Sequence, residues 1–203
     1  VSENGEPFSK RNVASSIEQI REQGIEPNAL NSLIASIGSS VDIQIFKSID
    51  DIAKYFEITS LGKAPARYDK NQLVRLNSQL ISSYSFEEIS KIISNNTGDF
   101  SEEFWDCIKQ NISEISEINI WLKIINEPVN HNLDIDKNYL NIAQDVLPME
   151  PWDKKTWDEW IEMLKDKTQK RGKELFMPIR LALTGKTTGP ELNKLILLLG
   201  YNK

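Results

Sequence analysis

The stretch from Gly172 to Gly200, GKELFMPIRLALTGKTTGPELNKLILLLG, limits the fold more than any other part of the chain, because its punctuation suits helices and little else. Pro178 fits a first helical turn, where its missing N–H costs nothing, and Gly185 is placed to end that helix in a left-handed conformation. Thr188 then offers a cap oxygen, Pro190 falls early in the next helix, and Glu191 completes a Thr-x-x-Glu capping box. Leu192, Leu195, Ile196 and Leu199 share one helical face until Gly200 stops the run. Two short, well-capped helices with a tight corner between them follow from these residues alone.

The same grammar runs through the rest of the chain. Ser15 and Glu18 are spaced as a capping box ahead of Ile17 and Ile20, closed by Gly24. Pro27 opens a helix whose Leu30, Leu33, Ile34 and Ile37 share a face until Gly38, and a third helix near Ser48 turns Ile49, Ile52, Ala53 and Phe56 inward. Val41, Ile43 and Ile45 alternate only long enough for a short extended segment. Pro65 marks a turn, after which Asp69 caps a helix carrying Leu73, Leu76 and Leu80, and Ser85 with Glu88 caps the next. Helical periodicity resumes through Phe104, Ile108, Ile112 and Ile115, then Ile118, Trp121, Leu122 and Ile125. Breaks fall at 95–99, at Pro128 to Asn132, and at Pro148 and Pro151, before a helix over Trp157, Trp160, Ile161 and Leu164 that Gly172 ends. The expectation is a mainly α chain without a repeat of fixed period.

Composition excludes several function classes. At 203 residues the chain has room for one large core or two modest ones, and 39% hydrophobic with 27% charged residues is ordinary for a folded soluble protein. No apolar run approaches the roughly 20 residues that span a bilayer, so no membrane partner is expected. The first residues lack a basic region followed by an apolar one, unlike a signal peptide. The start without a methionine reads like a piece of a longer protein. The single cysteine, Cys107, sits among apolar positions as a buried thiol and fits a reducing, cytoplasmic setting. The single histidine, His131, lies among polar turn residues with no nucleophile motif beside it, and histidine-rich metal sites are impossible. No Walker-type loop is present.

The net charge of −6 is unevenly spread. From Glu150 to Lys203 there are 11 basic and 8 acidic residues, a net of +3, which leaves −9 for the remainder. Phosphate contacts therefore belong to the C-terminal part, where Lys165, Lys167, Lys170, Arg171 and Lys173 cluster. The same lysines also suit a solvated helix end that complements the helix dipole. Trp152, Trp157 and Trp160 are of the type that stacks on unpaired bases, although their helical spacing favours a core.

The literal string from Gly172 to Gly200 closely resembles the C-terminal anticodon-binding region of bacterial glutamyl-tRNA synthetases. Those enzymes carry a Gly-Lys-x-Leu-Phe-x-Pro-hydrophobic-Arg-x-Ala-Leu-Thr-Gly run followed by Gly-Pro-Glu-Leu. At the other end, Pro7-Phe8-Ser9-Lys10-Arg11 resembles the signature loop of class I aminoacyl-tRNA synthetases, which glutamyl enzymes usually end Ser-Lys-Arg. Between them, Gly24-Ile25-Glu26-Pro27 and Tyr68-Asp69-x-x-Gln72-Leu73-x-x-Leu76-Asn77 are similar to elements of the same family, with Tyr68 and Gln72 replacing the usual Phe and Lys.

The resemblance implies a signature loop and stem-contact region over residues 1–84 and an anticodon-binding helical part over 85–203, in two subregions of about 85–147 and 148–203. It implies a glutamate–tRNA ligase that uses ATP and recognises tRNA(Glu), as a monomer. This fragment would lack the upstream catalytic domain, be inactive alone, and hold no metal. Lys10 matches the catalytic lysine whose ammonium offsets charge developing on the phosphates, with Ser9 and Arg11 in supporting positions of the ATP-binding loop. Pro7 stands where the general signature has its first lysine, so that role does not transfer. Arg67 and Arg75 in the first region, and Lys170, Arg171, Lys173 and Arg180 in the second, are the candidate tRNA contacts. The other functional classes left open are a free-standing tRNA-binding module and a helical protein-interaction module.

Overall fold

A computed structural model of the chain describes residues 16–40, 42–93, 98–129 and 136–200. Among these residues there are eleven α-helices: α1 Ile17–Glu22, α2 Pro27–Ser36, α3 Ile49–Tyr55, α4 Lys70–Ser83, α5 Phe86–Ile92, α6 Glu102–Ile108, α7 Glu117–Asn126, α8 Lys137–Asp145, α9 Thr156–Thr168, α10 Gly172–Thr184 and α11 Leu192–Leu199. A 3₁₀ turn spans Ile58–Ser60, and the only β pairing among described residues is an isolated antiparallel bridge between Ser39 and Leu61. The mainly α expectation holds. The chain forms two compact units, one of residues 1–97 with 112–118, the other of 98–111 with 119–203.

In the first unit, α2 packs on α4. The buried face of α2 is Ala29, Ser32, Leu33 and Ser36, whereas Ile34, expected inward, is exposed. The two serines tolerate burial because each hydroxyl is satisfied locally. Ser32 donates to the Asn28 carbonyl at 2.6 Å and accepts the Phe46 N–H, while Ser36 donates to the Ser32 carbonyl. Opposite them, α4 buries Leu73, Leu76, Asn77, Leu80 and Ile81. Asp69 caps α4 by accepting from the Asn71 and Gln72 N–H groups, as expected.

Asn77 is the polar centre of this unit and is fully buried. Its amide donates to the carbonyls of Gly24 (3.1 Å) and Ser113 (2.6 Å), and its oxygen accepts the Glu26 N–H at 2.8 Å. One side chain thus fixes the corner between α1 and α2 and a segment far along the chain. Glu117 reinforces that segment by accepting from the N–H groups of Ser113 and Glu114 and from the Ser113 hydroxyl.

Several helices depart from the expected pattern. The cap of α1 is Ser16 with Gln19, one residue beyond the Ser15–Glu18 pair, because both reciprocal bonds form there. Ser48 does cap α3, yet α3 buries no residue, and Ile49, Ala53 and Phe56 are exposed rather than inward. The periodic run from Phe104 to Ile115 is not one helix: α6 ends at Ile108, and α7 starts at Glu117.

In the second unit, α8 packs against α9 and α10, and α11 against α6 and α9. The core gathers Phe104, Trp105, Cys107 and Ile108 from α6, Trp160, Ile161 and Leu164 from α9, Leu175 and Ile179 from α10, and Leu192, Leu195 and Ile196 from α11. The buried polar atoms on large aromatics find partners. Trp160 Nε1 donates to the Ala143 carbonyl at 2.7 Å, and the Tyr139 hydroxyl donates to the Leu175 carbonyl. Cys107 is buried as expected, and desolvation pushes its thiol up to about 11, which keeps it protonated and unreactive at neutral pH.

Pro178 lies inside α10 instead of opening a helix, since the helix already begins at Gly172. It therefore leaves the Glu174 carbonyl without its usual donor. The preceding helix, α9, ends earlier than expected, at Thr168, with Gln169 in the left-handed region at φ 56°. Gly185 and Gly200 do end α10 and α11, at φ 67° and 70°.

Candidate nucleic-acid interface

The basic residues of the C-terminal part are brought together by the turn between α9 and α10. Lys165 and Lys167 occupy the last turn of α9, and Lys170, Arg171 and Lys173 follow within the corner and the first turn of α10. The left-handed Gln169 reverses the chain, and Arg171 is extended (φ −144°, ψ 161°) with no side-chain cap on the helix it precedes. Lys165, Lys167, Arg171 and Lys173 are all exposed. A depression of about 500 Å³ lies here, lined by Lys165, Asp166, Gln169, Lys170, Arg171 and Phe176.

Lys170 is held differently from its neighbours. Its ammonium is 3.4 Å from Asp136 Oδ2 and 4.5 Å from the centre of the Tyr139 ring. The carboxyl of Asp136 sits below its ordinary range, chiefly because it accepts the Tyr139 N–H and then because of Lys170. Lys170 thus fastens the corner to the start of α8, while Arg171 and Lys173 extend into solvent. Beside the depression, the half-buried Trp157 stacks on Phe176 with ring centres 6.2 Å apart and planes at 20°. Trp160 is core, and Trp152 donates its indole N–H to the Pro148 carbonyl.

The corner between α10 and α11 is built around Gly189, Trp121, Arg180 and Lys186. Gly189 (φ 146°) passes so close to Trp121 that a Cβ there would meet the ring at 2.4 Å. Arg180 reaches from α10 and donates through Nη2 to the Pro190 carbonyl at 2.9 Å. Its Nη1 is buried without a hydrogen-bond partner, and desolvation lowers the guanidinium's pKa. The Lys186 ammonium lies 6.0 Å from the Trp121 ring centre. Thr188, expected as a helix cap, is exposed in this corner instead, and α11 starts at Leu192 with no side-chain cap bond. Nothing in the sequence marks Trp121, Lys186 or Gly189 as site residues. The Gly189-Pro190 pair looks like ordinary turn chemistry until the indole is in place.

In the first unit, Arg67 is exposed on the wall of an open groove of about 800 Å³, with Ser36, Gly38, Ser39, Ser40 and Gly62 on its other sides. Arg75 is exposed and 3.6 Å from Asp69, the cap of its own helix. Ser9, Lys10, Arg11 and His131 lie outside the described residues. No cluster of three or more metal-ligating side chains occurs among the described residues, and no described helix is long and apolar enough to cross a membrane.

Residues 103–203 match the family described as the anticodon binding domain. Over 98% of its length the chain is 41% identical to glutamate–tRNA ligase 1 of Chelativorans sp. (strain BNC1), of which it covers 44%. It is 38% identical to glutamate–tRNA ligase 1 of Parvibaculum lavamentivorans, again over 98% of this chain and 44% of that protein. The chain therefore spans less than half the length of the curated relatives it matches. In fold, 89% of it superposes on the glutamate-tRNA synthetase of Elizabethkingia anophelis with a TM-score of 0.64 at 20% identity, covering 39% of that structure.

Proposed function

The chain belongs with the C-terminal portions of the glutamyl-tRNA synthetases, and on that premise we propose that it is the tRNA-recognising part of a glutamate–tRNA ligase. The observation that carries this reading is the coincidence of the anticodon-binding match over 103–203 with the exposed basic corner at 165–173. Counterion release from RNA phosphates rewards such a cluster, and each contact adds to affinity at low salt. Arg171 and Lys173 are the phosphate contacts of this proposal, Lys170 orients the corner, and the Trp157–Phe176 stack offers an aromatic surface to an unpaired base. Arg180 acts through the corner it holds at Pro190. Arg67 and Arg75 contact the RNA stem in the first unit. The regions 1–84 and 85–203 serve as stem-contact and anticodon-binding parts of a monomeric, cytoplasmic enzyme.

The whole ligase joins glutamate to tRNA(Glu) in two steps. Glutamate attacks the α-phosphate of ATP, giving glutamyl-adenylate and pyrophosphate, and a terminal ribose hydroxyl of the tRNA then displaces AMP. This chain supplies Ser9, Lys10 and Arg11 to the first step, where the Lys10 ammonium balances charge on the departing pyrophosphate. It supplies RNA recognition to the second. Titration of the chain with tRNA(Glu) and with an unrelated tRNA over a salt series tests the reading. Tighter binding of tRNA(Glu), with a steep loss as salt rises, is expected; equal or salt-independent binding of both overturns it.

A further inference from the structure

Lys165, Lys167, Lys170, Arg171 and Lys173 crowd one corner, yet among the described residues Lys170 alone of them forms an ion pair. Its side chain is 33% exposed, whereas the other cations of the corner lie open to solvent. The ammonium is held from two sides by groups that are themselves fixed. Asp136 accepts the Tyr139 N–H on Oδ1 at 3.1 Å, which leaves Oδ2 for Lys170. The Tyr139 ring beside the ammonium is fully buried, and its hydroxyl is tied to the Leu175 carbonyl. A partly exposed ion pair adds little stability. Its effect on an approaching charge is larger, because a carboxylate 3.4 Å from the ammonium turns a point charge into a short dipole. Asp136 stays ionised at neutral pH, since the Tyr139 N–H and then Lys170 favour its charged form.

We propose that Asp136 masks Lys170 from RNA, so that the corner meets phosphate with Arg171 and Lys173 and without their neighbour. This rests on the reading of the corner as a tRNA contact. A phosphate drawn to Lys170 would have to stand beside the ionised Asp136 carboxylate, and like charges at that range repel. Arg171 and Lys173 form no ion pair among the described residues, so nothing of the kind guards them. The mask has a use because a phosphate contact tightens binding to every RNA alike and carries no sequence information. Taking one cation out of the set lowers the hold on RNAs other than the substrate and leaves any base contact as it was.

Removing the charge of Asp136 without its cap tests the proposal in the 203-residue chain. Asp136→Asn keeps a side-chain oxygen for the Tyr139 N–H, since asparagine caps helices about as well as aspartate. Titrated with tRNA(Glu) over a salt series, it should steepen the log–log slope by roughly 0.7–0.9, the value of one phosphate contact. At about 0.1 M salt that change corresponds to roughly fivefold tighter binding. The double variant Asp136→Asn with Lys170→Gln should return to the slope and affinity of the parent. Asp136→Ser, which also caps, should reproduce the asparagine result and so guards against a fold effect in either variant. Unchanged slope and affinity overturn the proposal. Tighter binding without a steeper slope overturns it too, because the RNA would then already displace Asp136. A gain that survives Lys170→Gln overturns it in favour of a general loss of repulsion. Failure of the parent chain to prefer tRNA(Glu) removes the tRNA reading and the mask together, whereas normal parent binding with an unchanged variant removes the mask alone.

Discussion

The α-carbon of Gly189 lies against the Trp121 indole so closely that an added methyl would stand 2.4 Å from Cη2 and 2.8 Å from Cζ2. Neither group has room to retreat, since Trp121 is buried and the Pro190 carbonyl is held by Arg180. Gly189→Ala should therefore destabilise the second unit by about 1–3 kcal/mol through overpacking and a disfavoured φ. Thermal unfolding with intact helix content before the transition checks this. An unchanged midpoint would show that the corner shifts freely.

Asn77 gives a second stability prediction. Replacing it with Leu removes three hydrogen bonds at once and strands the Gly24 and Ser113 carbonyls and the Glu26 N–H. Each stranded group costs about 1–3 kcal/mol where water cannot reach it, so a loss of about 3 kcal/mol or more is expected in urea denaturation. Asn77→Asp should be no better, because it keeps the acceptor, loses both donors and adds a buried charge. A variant within 1 kcal/mol, as an order-of-magnitude bound, would mean that water replaces the amide.

The two kinds of basic residue at the 169–173 corner should separate experimentally. Removing Arg171 and Lys173 together should leave thermal stability alone and reduce the log–log salt slope of tRNA binding by roughly 0.7–0.9 per lost phosphate contact. Lys170→Ala should instead lower stability, because it deletes the contacts to Asp136 and Tyr139. If the double variant keeps its slope, the RNA lies elsewhere on the second unit.

Lys10→Ala should act on chemistry without acting on docking. In the longer ligase, ATP–pyrophosphate exchange should slow on the order of tenfold or more, equivalent to about 1.4 kcal/mol of lost transition-state stabilisation. Affinity for tRNA should stay the same, since the charge Lys10 answers is absent from the bound ground state. Normal exchange would remove the signature-loop assignment.

Glu88 makes the first unit's stability depend on pH. Its carboxyl is lowered first by the hydrogen bond from Lys47 (2.6 Å) and next by the Ser85 N–H. A depressed carboxyl contributes stability above its unfolded pKa of about 4.3, and that contribution is lost as pH falls through the lower folded value. The difference between the parent and Glu88→Gln, a few tenths to about 1 kcal/mol for an exposed pair, should be present at pH 7 and vanish in strong acid. A difference that does not vary with pH would assign the effect to the cap alone.

What the sequence disclosed depended on whether the cause was local. Gly185 and Gly200 were legible because a glycine with positive φ at a helix end needs no knowledge of neighbours, and Ser85 with Glu88 because a capping box closes within four residues. Burial was legible only where apolar spacing and packing agreed, as in Leu73, Leu76 and Leu80. It misled at Ile49 and Phe56, whose face the first unit does not cover, and at Ser32 and Ser36, whose polarity hid a buried face satisfied by carbonyls one turn back. Thr188 could have capped α11, but tertiary contacts through Trp121 and Arg180 fix that corner instead. At the candidate interface the basic cluster was visible as composition. The division between an anchored Lys170 and outward Arg171 and Lys173 needed Asp136, more than thirty residues away, to be seen.

The bond from Asn77 to Ser113 has a consequence for how the chain is made. Residues 112–118 complete the first unit, but residues 98–111, which precede them, belong to the second. During synthesis the ribosome must therefore deliver the opening segment of the second unit before the first can close. A nascent chain released at residue 97 would carry Asn77 with one donor unanswered, and no single scission of the backbone yields both units whole. Any attempt to move the second unit by itself into another protein has to replace what the return segment at 112–118 does for the first.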